Sequence, residues 1–197
     1  MKNAKEPTYS FVILTAVLVV INTILAWVSL KIAPTDANGI SWLFFAVAFM
    51  IIFTLWFGAY GAIAAYAGTL IGSGLLGSSG LENHPEIAVV WAIADLLQVI
   101  IPLLAVRRFK VNVSLENPRD WTYLILFGVV INNFIGAAWS TGTLALSGLI
   151  TAEQTGNAFF AWFIGNCIVT IIIVPIVLRY STSKVQKSKL FVKAYWD

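Results

Sequence analysis

Apolar runs too long and too uninterrupted for the core of a soluble domain recur along the whole chain. The first, residues 10–32 (SFVILTAVLVVINTILAWVSLKI), carries one charge, at Lys31. About 20 such residues in a helix cross the hydrocarbon of a bilayer, where only helices and closed barrels satisfy their own backbones. Comparable runs follow at 40–57, 59–78, 86–106, 120–149 and 157–179. Of the 197 residues, 59% are hydrophobic and 11% charged, against about 25% charged in ordinary soluble domains. The expected fold is an all-α integral membrane protein: a single membrane domain over 1–197, built as a six-transmembrane-helix bundle with a basic tail at 180–197. The first run exceeds the apolar core of a secretory signal, and no small-residue cleavage site follows it, so it reads as a span.

The basic residues set the orientation. Lys2 and Lys5 precede the first run, Arg107, Arg108, Lys110 and Arg119 separate the fourth and fifth, and Arg179, Lys184, Lys187, Lys189 and Lys193 follow the sixth. With six crossings, all eleven fall on one side of the membrane, and only Lys31 lies opposite. Positive charge collects on the cytoplasmic side, so both termini are expected there, in a prokaryotic plasma membrane. The same placement accounts for the pI near 9.1 without nucleic acid as a partner. The outer loops, 33–39, 79–85 and 150–156, hold Asp36, Glu82, His84 and Glu153, with Glu86 at a helix start. Solvation and helix N-terminal charge explain these acids.

Several chemistries find no residues to carry them. The only cysteine, Cys167, sits inside an apolar run, which excludes a disulfide or thiolate metal cluster within the chain. The only histidine, His84, cannot build a metal site of the usual kind. No HExxH, GxSxG, paired aspartates or Cys–His pair lies within a span. Catalysis, a cofactor and a bound metal are therefore not expected.

Polar side chains do occur at mid-membrane depth. Asn22, Thr69, Asp95, Gln98, Asn132, Asn133 and Asn166 fall near one level of their spans. Polar groups at that depth are costly and face the bundle interior or a cavity. In the fourth span, Trp91, Asp95, Gln98 and Pro102 follow an i, i+4, i+7, i+11 pattern and share one stripe. Pro102 also frees a carbonyl one turn back. Asp95 and Gln98, with Asn132, Asn133 and Asn166, are the candidate substrate-binding residues, with Trp91 and Trp162 as aromatic walls for a flat or cationic solute. An interhelical hydrogen bond from Asp95 to an asparagine of another span remains an alternative, and interfacial belts account for the other tryptophans. In the third span, Ala64, Gly68 and Gly72 make a face of small residues that permits close helix contact, within the bundle or with a partner subunit.

Two resemblances follow from these segments. WFGAYGAIAAYAGTLIGSGLLG followed by WAIADLLQVIIPLLAVRRF, with six spans and cytoplasmic termini, resembles the substrate-binding S components of energy-coupling factor (ECF) vitamin transporters. Residues 40–110 carry that likeness, and the rest of the chain shares only topology. The chain departs from the family's usual Phe-Gly-Pro and terminal Asp at Ala59 and Ser73. Its first span also lacks the family's AxxxA docking pattern, with Ala16 and Ala26 ten apart. Second, AIADLLQVIIPLLAVRRF, INNFIGAAWSTGTLALSG and FFAWFIGNCIVTIIIVPIVLR resemble the membrane-associated sensor domains found ahead of bacterial signalling enzymes. Trp162, Gly165, Asn166 and Pro175 match that family's W-x-x-G-[DN] and later proline. Such domains usually carry more spans and an output domain, and these 197 residues hold neither.

The first resemblance implies a solute-binding component that captures a small vitamin-like, heteroaromatic or cationic solute from outside and works with ATPase and transmembrane coupling subunits. The second implies a sensor acting through protein contacts. A third possibility is a stand-alone carrier driven by an ion gradient, with Asp95 as its proton or sodium site.

Overall fold

The computed structural model describes residues 9–33, 42–77 and 80–196. Among these residues every regular element is a helix. In chain order they are α1 (Tyr9–Ile32), α2 (Ala46–Phe57), α3 (Ala59–Thr69), α4 (Pro85–Trp91), α5 (Ile93–Phe109), α6 (Pro118–Ile125), α7 (Asn132–Leu146) and α8 (Ala152–Val185). A π-helical turn, Leu70–Leu75, extends α3, and a second, Leu126–Ile131, joins α6 to α7. A short 3-10 turn, Leu81–Asn83, precedes α4.

Among the described residues four continuous stretches are long and apolar enough to cross a membrane: Tyr9–Ile32, Pro85–Phe109, Pro118–Leu146 and Ala152–Val185. α2 is as apolar but only 12 residues long, and α3 with its π-helical turn ends at Leu75. The six runs of the sequence thus become six helical stretches, four of them of spanning length. Residues 34–41, which include Asp36 and the start of the run at 40–57, lie outside the described residues.

The short α2 is the centre of the bundle. Its sequence, AVAFMIIFTLWF, is apolar on every side, and a helix of that kind belongs inside. Val47, Met50, Ile51, Ile52 and Leu55 are all buried, packed against α3, α5 and α8. Lipid tails are as apolar as these side chains, so their gain comes from close packing rather than exclusion of water. The outer faces carry the opposite pattern. Val12, Val17, Val20 and Ile24 of α1 and Ile168, Ile172 and Ile176 of α8 are exposed, the surface that lipid would cover.

The small-residue face of α3 is filled from within the chain. Ala64 is buried, Gly68 lies against the Cβ of Asn22, and Gly72 meets the Thr23 backbone and the Ala26 methyl of α1. The possible partner interface of Ala64, Gly68 and Gly72 is therefore occupied by α1. Asn22 tightens the same seam, its Nδ2 donating to the Ala65 carbonyl (3.2 Å) and to Thr69 Oγ1 (3.3 Å).

At the end of the bundle that carries Arg107 and Arg179, loops are pinned by side chains reaching backbone carbonyls. Arg179 donates to the Leu115 carbonyl (3.2 Å), and Trp121 Nε1 to the same carbonyl (3.0 Å). The Asp120 carboxylate accepts from the Asn112 backbone N–H and from Asn117 Nδ2, both at 3.2 Å. The segment read as a tail is also fastened down. α8 continues to Val185, and the chain then turns back beneath the bundle. Val192 N–H donates to the Trp56 carbonyl and Ala59 N–H to the Tyr195 carbonyl, each at 2.9 Å. Arg107 donates to the Val192 carbonyl at 2.7 Å. The turn that receives this strap needs Gly58, whose φ of +59° is open to glycine and whose missing Cβ would sit 2.5 Å from the Tyr195 oxygen.

Candidate functional site

Helical irregularities converge on one place in the bundle. The π-helical turn Leu70–Leu75 carries Ser73. The fourth span breaks between α4 and α5 at Ala92, where Asp95 N–H bonds back only three residues, to the Ala92 carbonyl (3.1 Å). The π-helical turn Leu126–Ile131 ends just before Asn132 and Asn133, and Pro102 interrupts α5 two turns past Asp95. π-helical turns recur at functional sites because they re-aim side chains and release backbone groups.

Between these irregularities lies a cavity of about 60 Å³. Five of the seven predicted binding residues line it: Trp91, Asp95, Gln98, Trp162 and Asn166. The two indoles form its aromatic wall, their ring centroids 6.5 Å apart and their planes at 70°. Asp95 is 4% exposed. Among the described residues no cation pairs with it and no other side chain donates to its carboxyl. Three other polar atoms at the cavity are buried without a hydrogen-bond partner: Ser73 Oγ, Trp91 Nε1 and Asn166 Oδ1.

The remaining asparagines do different work. Asn133 lies behind the cavity wall and positions it. Gln98 Nε2 donates to Asn133 Oδ1 (2.9 Å), and Asn133 Nδ2 donates to Thr170 Oγ1 (3.0 Å) and to the Val129 carbonyl (2.8 Å). Three spans are thereby tied through one amide. Asn132 does not line the cavity. Its side chain is fully buried, and neither amide atom has a partner. Asn22 and Thr69, at similar depth, belong to the separate seam between α1 and α3.

Ser73, Ser140 and Phe44 also line the cavity, and sequence reasoning did not single them out as binding residues. A signal existed for Ser73, which occupies the position where the transporter components usually carry an aspartate. Ser140 lies seven residues past Asn133, on the same face of α7 as the cavity-lining Gly136 and Ala137.

The W-x-x-G-N stretch now has a physical reading. Trp162 and Asn166 enter the cavity one turn apart, and Gly165 lets α8 press against the Trp42 carbonyl, where any Cβ would overlap it. Among the described residues no three His, Cys, Asp or Glu side chains gather as a metal would require.

A bundle of apolar helices enclosing a polar, aromatic-walled cavity defines a multi-pass membrane protein with an internal site. The model of the MASE1 family, a membrane-associated sensor domain, matches residues 11–191, and the chain belongs to that family. No curated protein and no solved structure matches it. The family match falls on the second of the two resemblances, the sensor domain, and not on the vitamin-transporter component.

Proposed function

We propose that this chain is the sensory, membrane-embedded part of a signalling system, and that a small solute held in the Asp95 cavity is what it senses. The observation that carries this reading is the set of unmade bonds around that cavity. Among the described residues, Ser73 Oγ, Trp91 Nε1 and Asn166 Oδ1 are buried without partners beside the Asp95 carboxyl, with which no cation pairs. Each unmade bond costs about 1–3 kcal/mol, and a solute that completes them stabilises the bundle when bound. The family match supports the sensor class; nothing comparable favours solute import.

In this reading Asp95 is the charge or donor partner, and Ser73 and Asn166 are hydrogen-bond partners. Gln98 is a polar wall set in place by Asn133, and Trp91 and Trp162 are the aromatic walls. The chain crosses a prokaryotic plasma membrane six times with both termini cytoplasmic. It is not an enzyme and holds no cofactor, and its signal passes by protein contact to a cytoplasmic partner.

Native mass spectrometry of gently purified protein, together with thermal unfolding against small polar solutes, tests the site. The expected result is a saturable rise in unfolding temperature that Asp95→Asn removes. Saturable binding left unchanged by both Asp95→Asn and Ser73→Ala refutes it. Affinity capture tests the class: a kinase or cyclase supports the sensor, whereas ATPase and coupling subunits would restore the importer.

A further inference from the structure

The chemistry lining the cavity narrows what it can hold, given that it is the sensing site proposed above. Among the described residues the lining is rich in groups that can accept hydrogen bonds, the Asp95 carboxyl, Ser73 Oγ and Asn166 Oδ1, and holds no basic side chain. The Trp91 Nε1–H is a donor only, buried and without an acceptor. A complementary solute therefore presents several N–H donors with positive charge at one end and a single acceptor elsewhere. We infer that the solute is a compact amino alcohol or close analogue, an ammonium on a short carbon chain bearing one hydroxyl.

Size and shape agree. A volume of about 60 Å³ holds roughly four to six water-sized groups at ~10–15 Å³ each, the scale of a solute with a few heavy atoms. The two indoles suit a desolvated ammonium, which is attracted to their faces. Other classes fit less well. An anion meets the oxygens of Asp95, Ser73 and Asn166 with no basic residue in the described lining to hold it. A bare alkali ion leaves the Trp91 N–H without an acceptor. A quaternary ammonium offers no N–H to Ser73 or Asn166, and choline is larger than the space.

The test uses the full chain in lipid nanodiscs, titrated calorimetrically with ethanolamine, ethylamine, ethylene glycol, choline and acetate. Ethanolamine is expected to bind saturably. Ethylamine, lacking the acceptor, is expected to bind about threefold to tenfold more weakly, the ratio for one neutral hydrogen bond. Trp91→Phe should erase that difference, weakening ethanolamine more than ethylamine, because it removes the N–H donor as well as part of the aromatic wall. Asp95→Asn should weaken both amines at least tenfold, and Ser73→Ala, a milder change, about threefold. Each variant is first checked for a monodisperse elution peak. Ethylene glycol, choline or acetate binding as well as ethanolamine, or amine binding indifferent to Asp95→Asn, overturns the amino-alcohol inference and leaves a sensing site standing. An adduct of another class on the purified protein, with no amine bound, does the same. No binding by any probe and no adduct overturns the site as well.

Discussion

Gly136 holds Gln98 in place by having no side chain. A Cβ there would overlap the Gln98 side chain, which crosses the glycine on its way to Asn133. Gly136→Ala is therefore expected to break the 2.9 Å Gln98–Asn133 bond and push Gln98 into the cavity. Thermal unfolding should register a loss of about 1–3 kcal/mol, the range for overpacking a well-filled interior, and solute binding should weaken with it. Asn133→Ala removes the same bond and the one to Thr170 but leaves space, so it is expected to cost less, about 0.6–2 kcal/mol for hydrogen bonds between membrane helices. At this scale the sequence was legible where helical spacing and chemistry agreed. Trp91, Asp95 and Gln98 shared a stripe and all reach the cavity. Asn132 and Asn133 were grouped because both are amides, yet adjacent helical residues point about 100° apart, and neither lines the cavity. Ser73 and Ser140 went unnoticed as binding residues because a helical serine ordinarily bonds its own backbone and leaves no mark in an apolar run.

The helices carry their information in where they deviate from regularity. Pro102 was visible in the sequence, and so was the W-x-x-G-N stretch of α8. The two π-helical turns were not. LFGVVI, residues 126–131, reads as ordinary apolar helix, because the extra residue in a π-helical turn is fixed by packing against neighbours and not by residue type. The length of α2 was similarly hidden, since an apolar run shows composition and not where the helix starts. Gly165 gives a test at this scale. Gly165→Ala places a methyl into the Trp42 carbonyl and should drive α8 outward by a fraction of its diameter. The expected outcome is a lower unfolding temperature and increased labelling of Cys167, half-buried on the same helix, by a membrane-permeant thiol reagent. Unchanged labelling would show that α8 does not move.

For the whole molecule, the proposed six-crossing arrangement rests on the placement of charge, because α2 and α3 are short for spans of their own. Reporter fusions after residue 196 and within the turn at 147–151 check it: a reporter active only in the cytoplasm should work at the first site and fail at the second. The strap below the bundle makes a separate prediction. Gly58→Ala strains the turn that receives the Tyr195 carbonyl, and should speed tryptic cleavage at Lys187, Lys189 and Lys193 relative to the parent protein, followed by mass spectrometry. Composition gave the membrane class. The strap was invisible, because its basic residues look like a solvated tail while its anchors, Val192 and Tyr195, are held largely through their backbones.

That strap decides where mechanical work on the bundle emerges. α8 supplies Trp162 and Asn166 to the cavity, but the chain does not continue straight from its end. It doubles back until Trp196 packs edge-on against Tyr60 at 5.3 Å, and Tyr60 stacks on Phe11 of α1 at 4.5 Å. On the way it is held by Arg107 of α5, the helix that carries Asp95. The exit point at residue 196 is thereby geared to α1, α3 and α5 rather than to the helix the chain has just left. A shift of α8 reaches it through a chain that is also held by those three helices, so the position of residue 196 depends on several helices at once, as a clutch depends on two shafts.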